Sequence, residues 1–243
     1  MPRSTAELPL VDDRPARSAH ELVRAADGSV TATLAGERIA LLPDRALHWP
    51  REQTLFVADV HLGKAAAFRA GGVPVPRGAT ANDLARLSLL VERTAATRLV
   101  VLGDFLHAAA GRVPALDAAF RRWRDAHASI AIILVRGNHD ANAGDPPDAW
   151  RVNVVADPHP LAPFVLCHEP ALPRTGYALC GHVHPGVRVM GAAHESARLP
   201  CFVLGRRRAL LPAFGRLTGL ALLATAPGDT RVAIAGCRLF VLP

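Results

Sequence analysis

The sequence predicts an α/β fold of two facing sheets. Three features point to it: strand and helix patterns alternate between residues 54 and 135, short strands broken by Pro and Gly follow residue 150, and five polar blocks each close a predicted strand. Residues 30–34 and 38–42 flank Ala35, Gly36 and Glu37 as a hairpin, and 46–49 adds a third strand. The compact apolar run 54–60 is a strand ending in acid and histidine. Residues 80–97 carry Leu84, Leu87, Leu90 and Val91 at helical spacing, 98–102 is a strand, 114–127 is a helix opened by proline, and 130–135 is a buried strand. Sheets of this kind place ligands outside the carboxyl ends of their strands. Short strands at 151–155, 164–168, 177–181, 187–190, 201–204, 231–235 and 238–242 then predict a second, largely antiparallel sheet, with helices outside each sheet.

A chain of 243 residues with 50% apolar content can bury a substantial core. Residues 1–28 read as a flexible arm, because Pro, Arg and Asp interrupt any periodicity, and residues 29–243 as one domain. With no apolar run long enough to span a bilayer and no cleavage-site pattern near Met1, a soluble cytoplasmic protein without a membrane partner is expected. Cys167, Cys180, Cys201 and Cys237 form no CxxC pair and read as reduced thiols. The net charge of +7 is almost wholly arginine and favours phosphate-bearing partners. Lys64 is the only lysine and lies five residues after Asp59, which points to a task for a compact ammonium.

The five blocks are Asp59-x-His61, Gly103-Asp104, Gly137-Asn138-His139-Asp140, His168, and Gly181-His182-x-His184. Asp59 and His61, one residue apart at a strand end, are expected to point the same way and to grip a metal together. Carboxylate, amide and imidazole suit hard or borderline divalent ions, whereas a structural zinc site would more often use thiolate. The ligands Asp59, His61, Asp104, Asn138, His168, His182 and His184 exceed one tetrahedral site and imply two metals. Such a pair activates a hydroxide and stabilises both the attacking and the leaving oxygen of a phosphoester displacement.

In this order the blocks resemble the calcineurin-like metallophosphoesterase superfamily over residues 55–204. The resemblance implies a four-layer α/β/β/α sandwich of two mixed sheets. It implies that Asp59, His61 and His184 hold one metal, that Asn138, His168 and His182 hold the other, and that Asp104 bridges them. Manganese is the implied ion, with iron, zinc and magnesium as alternatives. His139 would bind phosphate and protonate the leaving oxygen. Many members place an acid three positions after the bridging Asp to orient that histidine; here the position is His107, so Asp140 would take the orienting place, or His107 would itself face the substrate. Asp59-Val-His-Leu-Gly-Lys64, Phe68-Arg69, residues 72–76, Leu199-Pro-Cys-Phe202 and Leu211-Pro-Ala-Phe-Gly215 further resemble the ligase-associated DNA-damage-response phosphoesterases, the PdeM group. That likeness implies DNA phosphodiester hydrolysis beside an ATP-dependent DNA ligase, a helicase and a nuclease.

Lys64, Arg69, Asn138 and His139 are therefore candidates for holding substrate phosphate, and Arg77, Arg112, Arg136 and Arg174 also fall near the site loops. Two other readings stand beside a DNA phosphodiesterase. One is a nucleotide or nucleotide-sugar pyrophosphatase of the lipid A pathway type, for which residues 106–128 are short to form an acyl-binding cap; the other is a non-enzymatic scaffold on the same fold.

Overall fold

The computed structural model describes residues 20–190, 195–224 and 226–242. Its first sheet runs in chain order: β1 (Leu22–Arg24), β2 (Val30–Leu34), β3 (Glu37–Leu42), β4 (Ala46–Trp49), β5 (Thr54–Val57), β6 (Arg98–Leu102), β7 (Ala131–Val135) and β8 (Val152–Val155). Tight turns make β1 to β5 antiparallel. Ala35 and Gly36, at φ 50° and 82°, supply the doubly left-handed turn that matches the twist of a two-residue hairpin. Helical crossovers make β5 to β8 parallel, through α1 (Lys64–Ala70), α2 (Ala79–Thr94), α3 (Pro114–Ala126) and α4 (Asn138–Ala143).

The second sheet holds β9 (His159–Leu161), β10 (Phe164–Cys167), β11 (Tyr177–Cys180), β12 (Pro185–Met190), β13 (Ser196–Leu204), β14 (Arg208–Leu210), β15 (Ala221–Leu222), β16 (Thr230–Ala235) and β17 (Arg238–Leu242). Its centre, β10, β11 and β14, is parallel, which the short-strand pattern did not reveal. That parallel pairing sends His168 and His182 out at the same edge.

Strand alternation divides the apolar residues between the two sides of the first sheet. Leu55, Val57, Leu99 and Val101 face α2 and α3, where they meet Leu87, Leu90, Phe120 and Trp123. Phe56, Val100 and Leu102 face the second sheet and pack with Phe164, Leu179 and Phe202; Trp49 meets Phe164 edge-on at 5.0 Å. The α/β class and the two facing mixed sheets agree with expectation.

Three details differ. Residues 151–155, expected in the second sheet, form the parallel edge of the first, because α4 and a turn at Asp148–Trp150 complete another crossover. The expected arm lies outside the described residues over 1–19, but Leu22–Arg24 pairs with Val30–Ala32 and Leu22 packs on the inter-sheet core. Finally, no helical residue packs on the outer face of the second sheet among the described residues; Cys167, Cys180 and Cys201 lie there, buried, under Ala171 and Leu223 from loops. No described helix is long and apolar enough to cross a membrane.

A strap from Leu211 to Gly215 closes the first sheet onto the site. Phe214 N donates to Ala58 O and Gly215 N to Asp59 O. Arg86 fixes the strap: its guanidinium donates to the Asp83 carboxylate, to Asp44 O and to Phe214 O, and lies 4.0 Å from the Phe214 ring centroid. Breaking a buried pair strands the partner charge, so Arg86→Ala should lower unfolding stability by about 3–5 kcal/mol. Denaturant melts check this; a loss below about 1 kcal/mol would mean that Asp83 needs no partner.

Candidate active site

Every block lies just past the carboxyl end of a parallel strand: Asp59 and His61 after β5, Asp104 after β6, Asn138 to Asp140 after β7, His168 after β10, and His182 and His184 after β11. The expected strand geometry for Asp59-x-His61 is not what aligns the pair. β5 ends at Val57, and Asp59 and His61 adopt left-handed backbone at φ 53° and 51°. Asp104, His182 and His184 do likewise at 52°, 67° and 51°. Such conformations cost about 1–3 kcal/mol each and persist where surrounding structure fixes them. Here a ladder between the two loops does so: Asp59 N to Gly103 O at 3.1 Å, His61 N to Asp104 O at 2.8 Å, Leu62 N to Phe105 O at 2.8 Å. Gly103 leaves room for His168, whose Nδ1 would sit 2.0 Å from any Cβ there.

The loops deliver three groups of donors, each converging within 4.8 Å: Asp59, His61 and His184; Asp104, His168 and His182; and, sharing His61, the all-imidazole set His61, His107 and His139. In the first, His61 Nε2 stands 3.4 Å from His184 Nε2, which is 3.5 Å from Asp59 Oδ1. In the second, His168 Nε2 stands 3.0 Å from His182 Nδ1, 3.4 Å from Asp104 Oδ1 and 2.9 Å from Asn138 Oδ1. Asp104 presents its other oxygen to His61 Nε2 at 3.9 Å and so faces the first group as well as the second. Two donors about 2.1 Å from one ion, subtending roughly a right angle or a tetrahedral angle, lie about 3.0–3.4 Å apart, which is the spacing seen.

Charge makes the same point. Asp59 and Asp104 are fully buried, and among the described residues their only ion-pair partners are histidines. Burial raises the pKa of the Asp104 carboxyl. Burial, then Lys64 and the neighbouring imidazoles, holds His61 far below the usual imidazole range and hence neutral, the form a metal requires. Buried carboxylates to which no lysine or arginine is paired among the described residues call for a counter-ion, and divalent cations would supply it. The donor set therefore fits divalent metal.

His139 stands at the rim, with Nε2 4.0 Å from Asp104 Oδ2 and its side chain 37% exposed. Its Nδ1 lies 2.7 Å from the backbone carbonyl of His107, and the two rings stack at 4.8 Å. The group that orients His139 is thus a main-chain oxygen, which sequence reasoning missed because a carbonyl carries no residue signature. The His107 ring also reaches His61, Nδ1 to Nδ1 at 3.4 Å, and is held to a pKa of about 4 by burial, Lys64 and His139.

Asp140 does not take the orienting place. It is completely buried, and its oxygens accept from Leu106 N at 2.8 Å and Gly137 N at 3.0 Å, which ties the β7 loop to the β6 loop. Lys64 opens α1 with its ammonium above Phe68. Burial lowers its pKa, opposed by the pull of Asp104 and Asp59, so the ammonium belongs to the site. Arg69 instead donates through Nη1 to Val75 O and Pro76 O, Arg112 to Ala143 O, and Arg136 pairs with Asp145.

Facing sheets that bring carboxylates, an amide and imidazoles to one cleft define a metal-binding phosphoester hydrolase. Among solved structures, the crystal structure of Pseudomonas putida nuclease MPE is 38% identical, with 92% of this chain and 100% of that one covered at a TM-score of 0.75. Yfce, a phosphoesterase from E. coli, is 15% identical over 75% of this chain and 88% of its own at a TM-score of 0.36, too distant to carry an argument. No family model and no curated protein matches the chain. At that identity and coverage the chain belongs to the metallophosphoesterase family of nuclease MPE, as its motifs indicate.

Asp140→Ala would leave the Leu106 and Gly137 amides buried without acceptors, at about 1–3 kcal/mol each. Bound metal per chain should fall with stability, although Asp140 ligates nothing; full metal occupancy with intact stability in elemental analysis and melting would contradict this positioning role.

Proposed function

We propose that this protein is a two-metal phosphodiesterase or endonuclease that cuts DNA, acting in bacterial repair beside an ATP-dependent ligase, a helicase and a nuclease. The observation that carries the reading is the pair of donor groups joined through Asp104 beneath an exposed His139. The nuclease relative and the PdeM-like motifs support DNA as substrate. Residues 106–128 also favour an open site: α3 packs into the core through Leu116, Phe120 and Trp123 and forms no cap that would hold an acyl chain.

In this reading Asp59, His61 and His184 hold one cation and Asn138, His168 and His182 the other, with Asp104 shared. Manganese is the first ion to test, then iron, zinc and magnesium. The cations, when bound, supply Lewis-acid stabilisation of phosphoryl oxygens and activate water as the nucleophile. Asp59 is held in place by His182 N, which donates to its carboxylate at 2.9 Å, and Asp104 by His139 N at 2.9 Å. His139, with Nδ1–H directed at the His107 carbonyl, turns Nε2 to the cleft; protonated at Nε2 as well, it gives the Nε2 proton to the leaving oxygen and stays anchored through Nδ1–H. Lys64 adds a positive charge on the substrate side.

His139→Ala should lower kcat by about 10²–10⁴ with metal content unchanged, whereas Asp104→Ala loses both. His107→Ala keeps the carbonyl and should lose about tenfold or less; a loss equal to that of His139→Ala would show that the ring, not the carbonyl, is what His139 needs. Assays across manganese, iron and zinc on nicked, flapped and single-stranded DNA against nucleotide pyrophosphates test the substrate, and activity on the pyrophosphates alone would sink the nuclease reading.

A further inference from the structure

We infer that a groove leaving the metal centre between α1, residues 71–78, the amino end of α2 and residues 215–218 is the track for the DNA sugar–phosphate backbone on one side of the cut bond. This rests on the nuclease reading and adds the surface that grips the polymer. Three adjoining hollows make the groove. The first, about 10 Å³, touches the centre and is lined by His61, Lys64, Thr80 and Thr218. The second, about 240 Å³, lies among Gly63, Arg69, Arg77 and Leu116. The third, about 200 Å³, lies among Pro76, Arg77, Arg216 and Leu217. Ala79 lines all three, which sets the hollows around one helix end.

The lining gathers cations that close no ion pair. The side chains of Arg77 and Arg216 make no hydrogen bond or ion pair among the described residues, Lys64 lies over Phe68 within the pull of Asp104 and Asp59, and Asp83, the one acid in the wall, is buried and paired with Arg86 at 2.9 Å. Arg51, Arg93, Arg121, Arg136 and Arg151 are each paired with a carboxylate, whereas the exposed Arg24, Arg38, Arg122, Arg174 and Arg188 are in no ion pair among the described residues either; Arg77 and Arg216 differ from these in lining hollows beside the site. Unpaired like charges along a groove repel one another, and a polyanion laid between them relieves that repulsion while releasing its own counter-ions. The helix end adds to the field, since Gly78 caps α2 without a side chain and its first turn contains no acid. Val75, Pro76 and Leu217, the last 37% exposed, give an apolar wall for sugars. Phosphate contacts of this kind position a strand without reading its sequence.

The test compares the manganese-loaded full chain with an Arg77→Ala/Arg216→Ala double variant on two substrates: a DNA oligonucleotide and bis(p-nitrophenyl) phosphate, a diester small enough to reach only the centre. The variant should bind DNA at least about tenfold more weakly and show a salt dependence shallower by roughly 1.4–1.8, at about 0.7–0.9 per lost phosphate contact. Its kcat/KM loss should be confined to DNA, and Arg77→Lys/Arg216→Lys should recover most of the binding. Arg93→Ala/Arg121→Ala, at neutralised surface positions, should leave both substrates as in the parent. DNA affinity and salt slope unchanged in the alanine pair would overturn the groove while leaving the nuclease reading intact, and an equal loss on both substrates would assign the arginines a structural role. A parent chain that hydrolyses the small diester yet neither binds nor cuts DNA would remove the nuclease reading and the groove with it.

Discussion

Two carboxylates buried among imidazoles set the terms for the rest of this molecule. Asp59 and Asp104 lie at the ends of adjacent parallel strands, with no guanidinium or ammonium paired to either among the described residues. Burying an ion without compensation costs several kcal/mol. The fold accepts that cost at the mouth of the cleft between its sheets, where the first sheet brings the acids and the second brings His168, His182 and His184. Neither sheet alone completes either of the two donor groups that contain a carboxylate. The inter-sheet core of Trp49, Phe56, Phe164 and Phe202 is therefore part of the site, since it fixes how far apart the two sets of loops stand.

The motif blocks were legible in the sequence because metal chemistry restricts residue type more tightly than packing does. A Val in a strand can be an Ile, but a donor after a strand end must offer oxygen or nitrogen at a set distance, and the glycine beside it must admit its neighbours. The division into Asp59, His61 and His184 against Asn138, His168 and His182, with Asp104 between, came from the family resemblance, and the structure gathers Asp59, His61 and His184 in one group and Asp104, His168 and His182 in another. What escaped was carried by the backbone. Left-handed residues, not strand pleating, aim Asp59 and His61, and the carbonyl that orients His139 belongs to a residue whose side chain drew the attention instead. Asp140 shows how a motif misleads. It stands three residues after Gly137, the position from which an acid caps a helix start, and that spacing signals the amide-binding role it has.

Topology was legible where helices were long and obscure where they were short. Leu84, Leu87, Leu90 and Val91 announce α2, whereas α4, six residues long, begins with the Asn138-His139-Asp140 block and reads as loop. Missing that crossover moved residues 151–155 to the wrong sheet. The parallel centre of the second sheet was hidden similarly: the connection from β10 to β11 contains no helix, and short strands separated by turns resemble an antiparallel meander.

The strap joins these themes. Gly215 N donates to the carbonyl of Asp59, so the left-handed turn that aims a metal donor is supported by the segment that runs on into Arg216. Arg45 donates to Ala213 O and Gly215 O, and Arg86 to Phe214 O, so two half-buried cations hold the strap while Arg216 lines a hollow beside it. Burial lowers the pKa of both supporting guanidiniums, and the positive charge of Arg216 lowers each further. A polyanion in the groove would offset that repulsion at the point where the strap meets Asp59. Substrate grip and donor geometry then share one mechanical element, and relieving the charge on its outer side would steady the acid on its inner side.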